Sequence, residues 1–115
     1  MEQIRQLDIV LVPVYYAEQT EKKVRPVLVV SNDAFHAGSD DVVGFAITSS
    51  SHRREAGVEI DDSDFTEGTL DRRSFVRAGA PLRVHRSLIK LRYGAVKPKV
   101  LEDVQAQWRK ITSRN

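Results

Sequence analysis

The chain has 115 residues, 41% hydrophobic and 30% charged, with only 6 Gly and 4 Pro, so it has the size and balance of one folded domain over residues 1–115 and is neither collagen-like nor disordered. It has no cysteine and 3 scattered histidines (His36, His52, His85), which excludes disulfides, thiolate catalysis and a recognisable metal motif, so neither metal nor cofactor is expected. A formal net charge of +2, no apolar run of membrane-spanning length and no apolar signal core at the start predict a cytoplasmic protein.

Ile9-Val10-Leu11-Val12 is a β-branched run that Pro13 is expected to end. Residues 17–23 carry no apolar anchor and read as a long hairpin loop. The next strand, Val27-Leu28-Val29-Val30, is opened by Pro26 and closed by Ser31-Asn32-Asp33. Val42-Val43-Gly44-Phe45-Ala46-Ile47 runs into Thr48 and is halted by Ser49, Ser50, Ser51 and His52, so Thr48 stands at a strand end, where side chains commonly face a site.

Gly57-Val58-Glu59-Ile60, Ser74-Phe75-Val76-Arg77 and Leu82-Arg83-Val84-His85 alternate as half-exposed strands, with a turn-rich acidic connection over residues 61–67. Pro98 suits the first position of a helix whose apolar face is Leu101, Val104, Trp108 and Ile111, packed on its own sheet or, at Trp108, on a partner. Five to seven short strands and one terminal amphipathic helix predict a mainly β fold, an antiparallel sheet curved into a small barrel.

Charge is divided along the chain. Residues 1–71 carry 6 basic and 14 acidic side chains, whereas residues 72–101 carry 9 basic side chains and no acid. Either one basic surface awaits a polyanion, or folding intermixes the halves into an ordinary solvated surface.

The block Val24-Arg25-Pro26-Val27-Leu28-Val29-Val30-Ser31-Asn32, followed by Ala46-Ile47-Thr48-Ser49-Ser50, resembles the two signature blocks of the MazF/PemK toxin family. The similarity extends over Asp8-Ile9-Val10-Leu11-Val12-Pro13, Gly57-Val58-Glu59-Ile60, Ser74-Phe75-Val76-Arg77 and the stretch from Ser87-Leu88-Ile89 to Gly94. It implies an SH3-like barrel of the kind shared with CcdB. It also implies a homodimeric, sequence-specific endoribonuclease that cuts single-stranded RNA without a metal and is silenced by an antitoxin peptide lying in the RNA groove. The family's two catalytic positions fall on Arg25 and Thr48.

Physical chemistry is compatible with those roles. Metal-free cleavage uses the ribose 2′-OH as nucleophile and needs charge stabilised at the phosphorane. An arginine fork can grip two phosphate oxygens, and a threonine hydroxyl can donate one more bond. In isolation, Arg25 reads as a surface arginine and Thr48 as the last residue of a strand ladder.

For the substrate, Tyr16 is expected to stack on an unpaired base, whereas Tyr15 reads as packing. Ser49 is expected at the groove margin, and Arg53, Arg54 and Arg77 as contacts to the RNA backbone. His52 and His85 have the intrinsic chemistry of a base but read as surface residues. The plasmid-borne branch carries Arg-x-Asp after the middle block; here Arg77 is followed by no acid, and Asp71 is one candidate replacement. The family's Gly before the first Asp is Leu7. Two other functions remain open: a CcdB-like inhibitor of DNA gyrase, which has no need of Arg25 with Thr48, and a plain RNA-binding module.

Overall fold

The computed structural model describes residues 3–14, 23–50 and 55–115. Seven strands form one antiparallel sheet: β1 (Asp8–Val14), β2 (Lys23–Val29), β3 (Asp41–Thr48), β4 (Gly57–Ile60), β5 (Phe65–Glu67), β6 (Ser74–His85) and β7 (Leu91–Val96), in the order β4-β6-β3-β2-β1-β7-β5. A short helix α1 (Asp33–Ala37) links β2 to β3, and α2 (Pro98–Thr112) ends the fold.

The sheet curls because its two edges share one core. Ile9, Leu28, Phe45, Ile47 and Val76 from the middle strands cluster with Ile60 of edge strand β4, Val96 of β7, and Val100 and Val104 of α2, while Phe65 of β5 packs against them. Edge strands β4 and β5 are consecutive in sequence, joined by a single 3-10 turn, Asp62–Asp64. Asp61 caps that turn: it accepts from Ser63 N–H at 2.9 Å, and its own N–H donates to Asp64 Oδ2 at 3.0 Å. The Ser63 hydroxyl also donates to Asp61 Oδ1, at 2.6 Å, and this bond first, with that from the Ser63 N–H, holds the Asp61 carboxyl below its ordinary pKa. The opposite sheet face buries Val10, Val12, Val27, Val29, Val42 and Val84 with Ile4 and Ile89. Alternation along β1 and β2 thus feeds two cores, one per face.

Several expectations need correction. Pro13 and Pro26 were expected at strand boundaries, but β1 continues to Val14 and β2 begins at Lys23. Each proline stands where its strand has a partner on one side only: β7 pairs with β1 over Asp8 to Leu11, and β3 pairs with β2 over Val27 to Val29. A missing N–H costs no ladder bond there. The two strands expected at 74–77 and 82–85 are one strand, β6, whose Pro81 lies beyond the reach of β4. The acidic connection contains strand β5, too short and too exposed to show alternation.

In α2, Val100 and Val104 are the buried anchors, Leu101 is half-buried, and Trp108 meets Phe45 edge to face at 5.7 Å between ring centroids. Ile111, expected on the buried face, is 50% exposed. Leu7 and Gly94 are among the residues that carry local strain or tight contact. Leu7 has φ of 80°, a left-handed conformation that glycine adopts at less cost. At Gly94 a Cβ would lie 2.4 Å from Glu67 O, so only glycine lets β5 approach β7 this closely.

The charged halves do intermix. Arg83 pairs with Asp41 at 2.6 Å, Arg77 with Glu55 at 3.2 Å, and Arg73 with Glu59. Arg92 bridges Asp8 at 3.0 Å and Glu67 at 2.6 Å. Asp8 is almost fully buried and also accepts the Arg5 N–H at 2.7 Å. The guanidinium of Arg92 is held more firmly protonated than usual, first by its bond to Glu67 and then by the charge of Asp8.

Candidate functional site

Proline 26 sets up the site. The β2–β3 ladder pairs Val29 with Gly44, Leu28 with Phe45 and Val27 with Ala46, and stops at the residue that lacks an N–H. The same register continued by two residues sets Arg25 opposite Thr48. Both belong to their strands, Arg25 paired to Val12 of β1 and Thr48 to Phe75 of β6. Twenty-two intervening residues are therefore spanned by one cross-strand step.

A cavity of about 380 Å³ opens at these strand ends. Its walls include Arg25 and Pro26 of β2, Ile47 and Thr48 of β3, Ser49 and Ser50 beyond it, Leu11 of β1 and Tyr93 of β7. The remaining wall is the β5–β6 connection, with Leu70, Asp71 and Arg72, and then Ser74. Residues of both parities line it, as expected of a cavity at a strand end rather than on one face of the sheet.

Thr48 is 8% exposed, and its Oγ1 accepts the Ser50 N–H at 3.0 Å. That bond fixes the hydroxyl in place, and among the described residues the Thr48 hydroxyl donates to no acceptor. Arg25 is half-buried, with its Nε shut off from solvent. Among the described residues the cavity wall therefore combines the arginines Arg25 and Arg72, an oriented hydroxyl, serine hydroxyls and one carboxylate. Such a set can grip a phosphate and donate several hydrogen bonds to it.

Among the residues expected to contact substrate, Ser49 lines the cavity and is exposed. Arg77 does not line it; it stands on β6 opposite Gly57 with its guanidinium on Glu55. Tyr16 and Arg53 lie outside the described residues, as do Tyr15, His52, Arg54 and all of the loop expected over residues 17–23 but Lys23, which belongs to β2 instead. His85 is at the far end of β6, paired to Asp41, with Nδ1 2.8 Å from Ser87 Oγ. Leu70, Arg72, Ser74 and Tyr93 were not foreseen in this role. The signal for Arg72 was its place at the head of the acid-free segment; nothing local marked Leu70, Ser74 or Tyr93.

A second cavity, about 610 Å³, adjoins the first and shares Leu70, Asp71 and Arg72 with it. Its other walls include Phe65, Ile60, Asp61 and Asp62. The two cavities form one groove parted by the ridge 70–72.

Comparison with known proteins agrees with this architecture. An endoribonuclease in complex with its cognate antitoxin from a mycobacterial species is 18% identical, with a TM-score of 0.70 over 96% of this chain and 93% of that one. MazF in a MazE–MazF structure from Deinococcus radiodurans is 16% identical, with a TM-score of 0.74 over 97% of each chain. The Mycobacterium tuberculosis toxin MazF-mt6 is 14% identical, with a TM-score of 0.73 over 94% of this chain and 98% of that one. At these identities the likeness establishes the fold, a seven-stranded curled sheet with a C-terminal helix. No curated protein matches at the level of sequence. A family model does match, over residues 5–112, and its description is a PemK-like, MazF-like toxin of type II toxin–antitoxin systems. The match takes in every strand, both helices and the whole cavity wall, and on that ground the chain belongs to the MazF/PemK family of type II toxins.

Proposed function

We propose that this toxin is a sequence-specific endoribonuclease that cuts single-stranded RNA by attack of a ribose 2′-OH on the adjacent phosphate, without a metal. One observation carries the reading: Arg25 and Thr48, distant in sequence, line one cavity at neighbouring strand ends. Family membership and the endoribonuclease activity named for two structural neighbours support it.

In this mechanism Arg25 clamps two non-bridging oxygens and stabilises the phosphorane charge. A guanidinium has no acceptor and does not deprotonate in proteins, so the role is electrostatic and not that of a base. Thr48 adds one hydrogen bond to the same phosphate, its oxygen held by the Ser50 amide. Ser49 binds at the margin of the cavity, and Tyr16, Arg53 and Arg77 hold flanking nucleotides.

The same groove receives an extended antitoxin segment; that an endoribonuclease of this fold is known in complex with its cognate antitoxin supports such a partner. The working form is a homodimer in the cytoplasm. Val24 and Leu91, 52% and 48% exposed, flank the cavity residues Leu11 and Pro26, and a second copy would cover that apolar strip.

Incubation of the purified protein with a long single-stranded RNA in EDTA tests the reading. Discrete fragments ending in 2′,3′-cyclic phosphate and 5′-hydroxyl are expected. RNA that stays intact across varied sequences contradicts it, and inhibition of gyrase supercoiling that persists in an Arg25→Ala variant would favour a CcdB-like inhibitor instead.

A further inference from the structure

Attack by a 2′-OH requires a group that takes its proton, and most of the cavity wall is chemically unfit for that. Arg25 and Arg72 offer donors only. Thr48 Oγ1 already accepts the Ser50 amide, and the serine hydroxyls and Tyr93 are weak proton acceptors near neutral pH. The histidines of the described residues lie elsewhere: His36 on α1 with Nε2 2.6 Å from Ser31 Oγ, and His85 at the far end of β6.

Among the described residues of the cavity wall one carboxylate remains, Asp71. It sits in the β5–β6 connection on the ridge shared by the two cavities, beside Arg72 and three residues before Ser74. Its carboxyl is exposed and, among the described residues, makes no hydrogen bond or ion pair. Carboxylates elsewhere on the sheet are engaged: Asp8 and Glu67 by Arg92, Glu55 by Arg77, Glu59 by Arg73, Asp41 by Arg83. An acid left unengaged in a cavity with a phosphate-gripping arginine has a different use from those.

We propose that Asp71 is the proton acceptor of this site, an inference that rests on the ribonuclease reading above. Asp71 takes the 2′-OH proton as O2′ forms its bond to phosphorus; the P–O5′ bond then breaks, leaving a 2′,3′-cyclic phosphate. The departing O5′ takes a proton from water, and the hydroxide so formed removes the proton from the Asp71 carboxyl, so that atoms and charge balance over the cycle. Arg25 and Thr48 hold the phosphate while this happens, and neither changes its protonation.

The test compares wild type, Asp71→Asn and Asp71→Glu in single-turnover cleavage of one RNA over a range of pH. Binding is measured with the same RNA carrying 2′-deoxyribose at the mapped scissile position. The asparagine variant should lose roughly a hundred- to ten-thousand-fold in rate at neutral pH and lose the acid limb of its pH–rate profile. Its affinity for the uncleavable RNA should be unchanged or tighter, because removing a carboxylate takes away repulsion of the phosphate and no attraction. The glutamate variant should recover part of the rate and regain the acid limb. An asparagine variant that keeps the wild-type rate and acid limb overturns the assignment, as does a loss of rate matched by an equal loss of affinity. Failure of the ribonuclease reading would be seen in the wild type alone, as RNA that is never cut.

Discussion

Replacing Thr48 separates its structural work from its chemical work. Valine preserves the branched shape but exchanges the hydroxyl for a methyl, so the Ser50 N–H loses the acceptor it has at 3.0 Å. Ser50 is half-buried and water can replace part of that bond, so the cost to folding is about 1 kcal/mol. Loss of one donor to the phosphate should raise the cleavage barrier by about 1–3 kcal/mol, roughly 5- to 150-fold in kcat/KM. Serine makes the converse change: it keeps the hydroxyl and removes one buried methyl, at about 1 kcal/mol of stability. The two variants should therefore unfold at similar urea concentrations, followed by circular dichroism, while only the valine variant cuts RNA slowly in single turnover. A valine variant cutting at the wild-type rate, or a serine variant as slow as the valine one, would refute the argument.

Arg92→Ala strands the buried Asp8 carboxylate, with 5% of its side chain exposed, on the Arg5 amide alone; a loss of about 2–4 kcal/mol is expected in urea unfolding, and a loss below about 0.5 kcal/mol contradicts it. His36 has its pKa lowered below 6.5, by burial first and by the charge of Arg86 second. The unfolded chain thus takes the proton more readily than the native one, so stability is full above about pH 6.5 and falls as the solution is acidified through the lowered value. His36→Gln should flatten that slope between about pH 7 and 5, and a variant whose unfolding free energy follows pH as the wild type does would show the burial of His36 to be inconsequential.

Much of the fold was legible because alternation survives in a single chain. Gly57–Ile60 and both halves of β6 read as half-exposed strands, and Pro98 marked the first residue of α2. Prolines misled where they stood at edge positions, since a rule about lost ladder bonds does not say which side of a strand is unpaired. β5 escaped notice because three residues carry no period, and β6 was divided because Gly79-Ala80-Pro81 reads as a break although pairing with β3 runs past it. Val100 was missed on α2 because the periodic count began one residue late.

Of the site, Arg25, Thr48 and Ser49 were legible through the resemblance, and the register of β2 and β3 explains why they meet. Arg77, proposed as a contact to flanking nucleotides, was singled out by its charge, and it lies outside the cavity wall with its guanidinium on Glu55. Tyr93 and Ser74 could not be read from the chain, because they reach the cavity through the curl of the sheet and not through any local pattern.

The most direct test compares wild type with Arg25→Ala on one RNA in EDTA, with fragment ends identified and circular dichroism recorded on both proteins. Equal folding is expected, because Arg25 is half-buried at a strand end and outside both apolar cores. The wild type should produce cyclic-phosphate ends at defined positions, and the variant should leave the RNA whole. Identical fragments from both proteins would remove Arg25 from the chemistry and contradict the account.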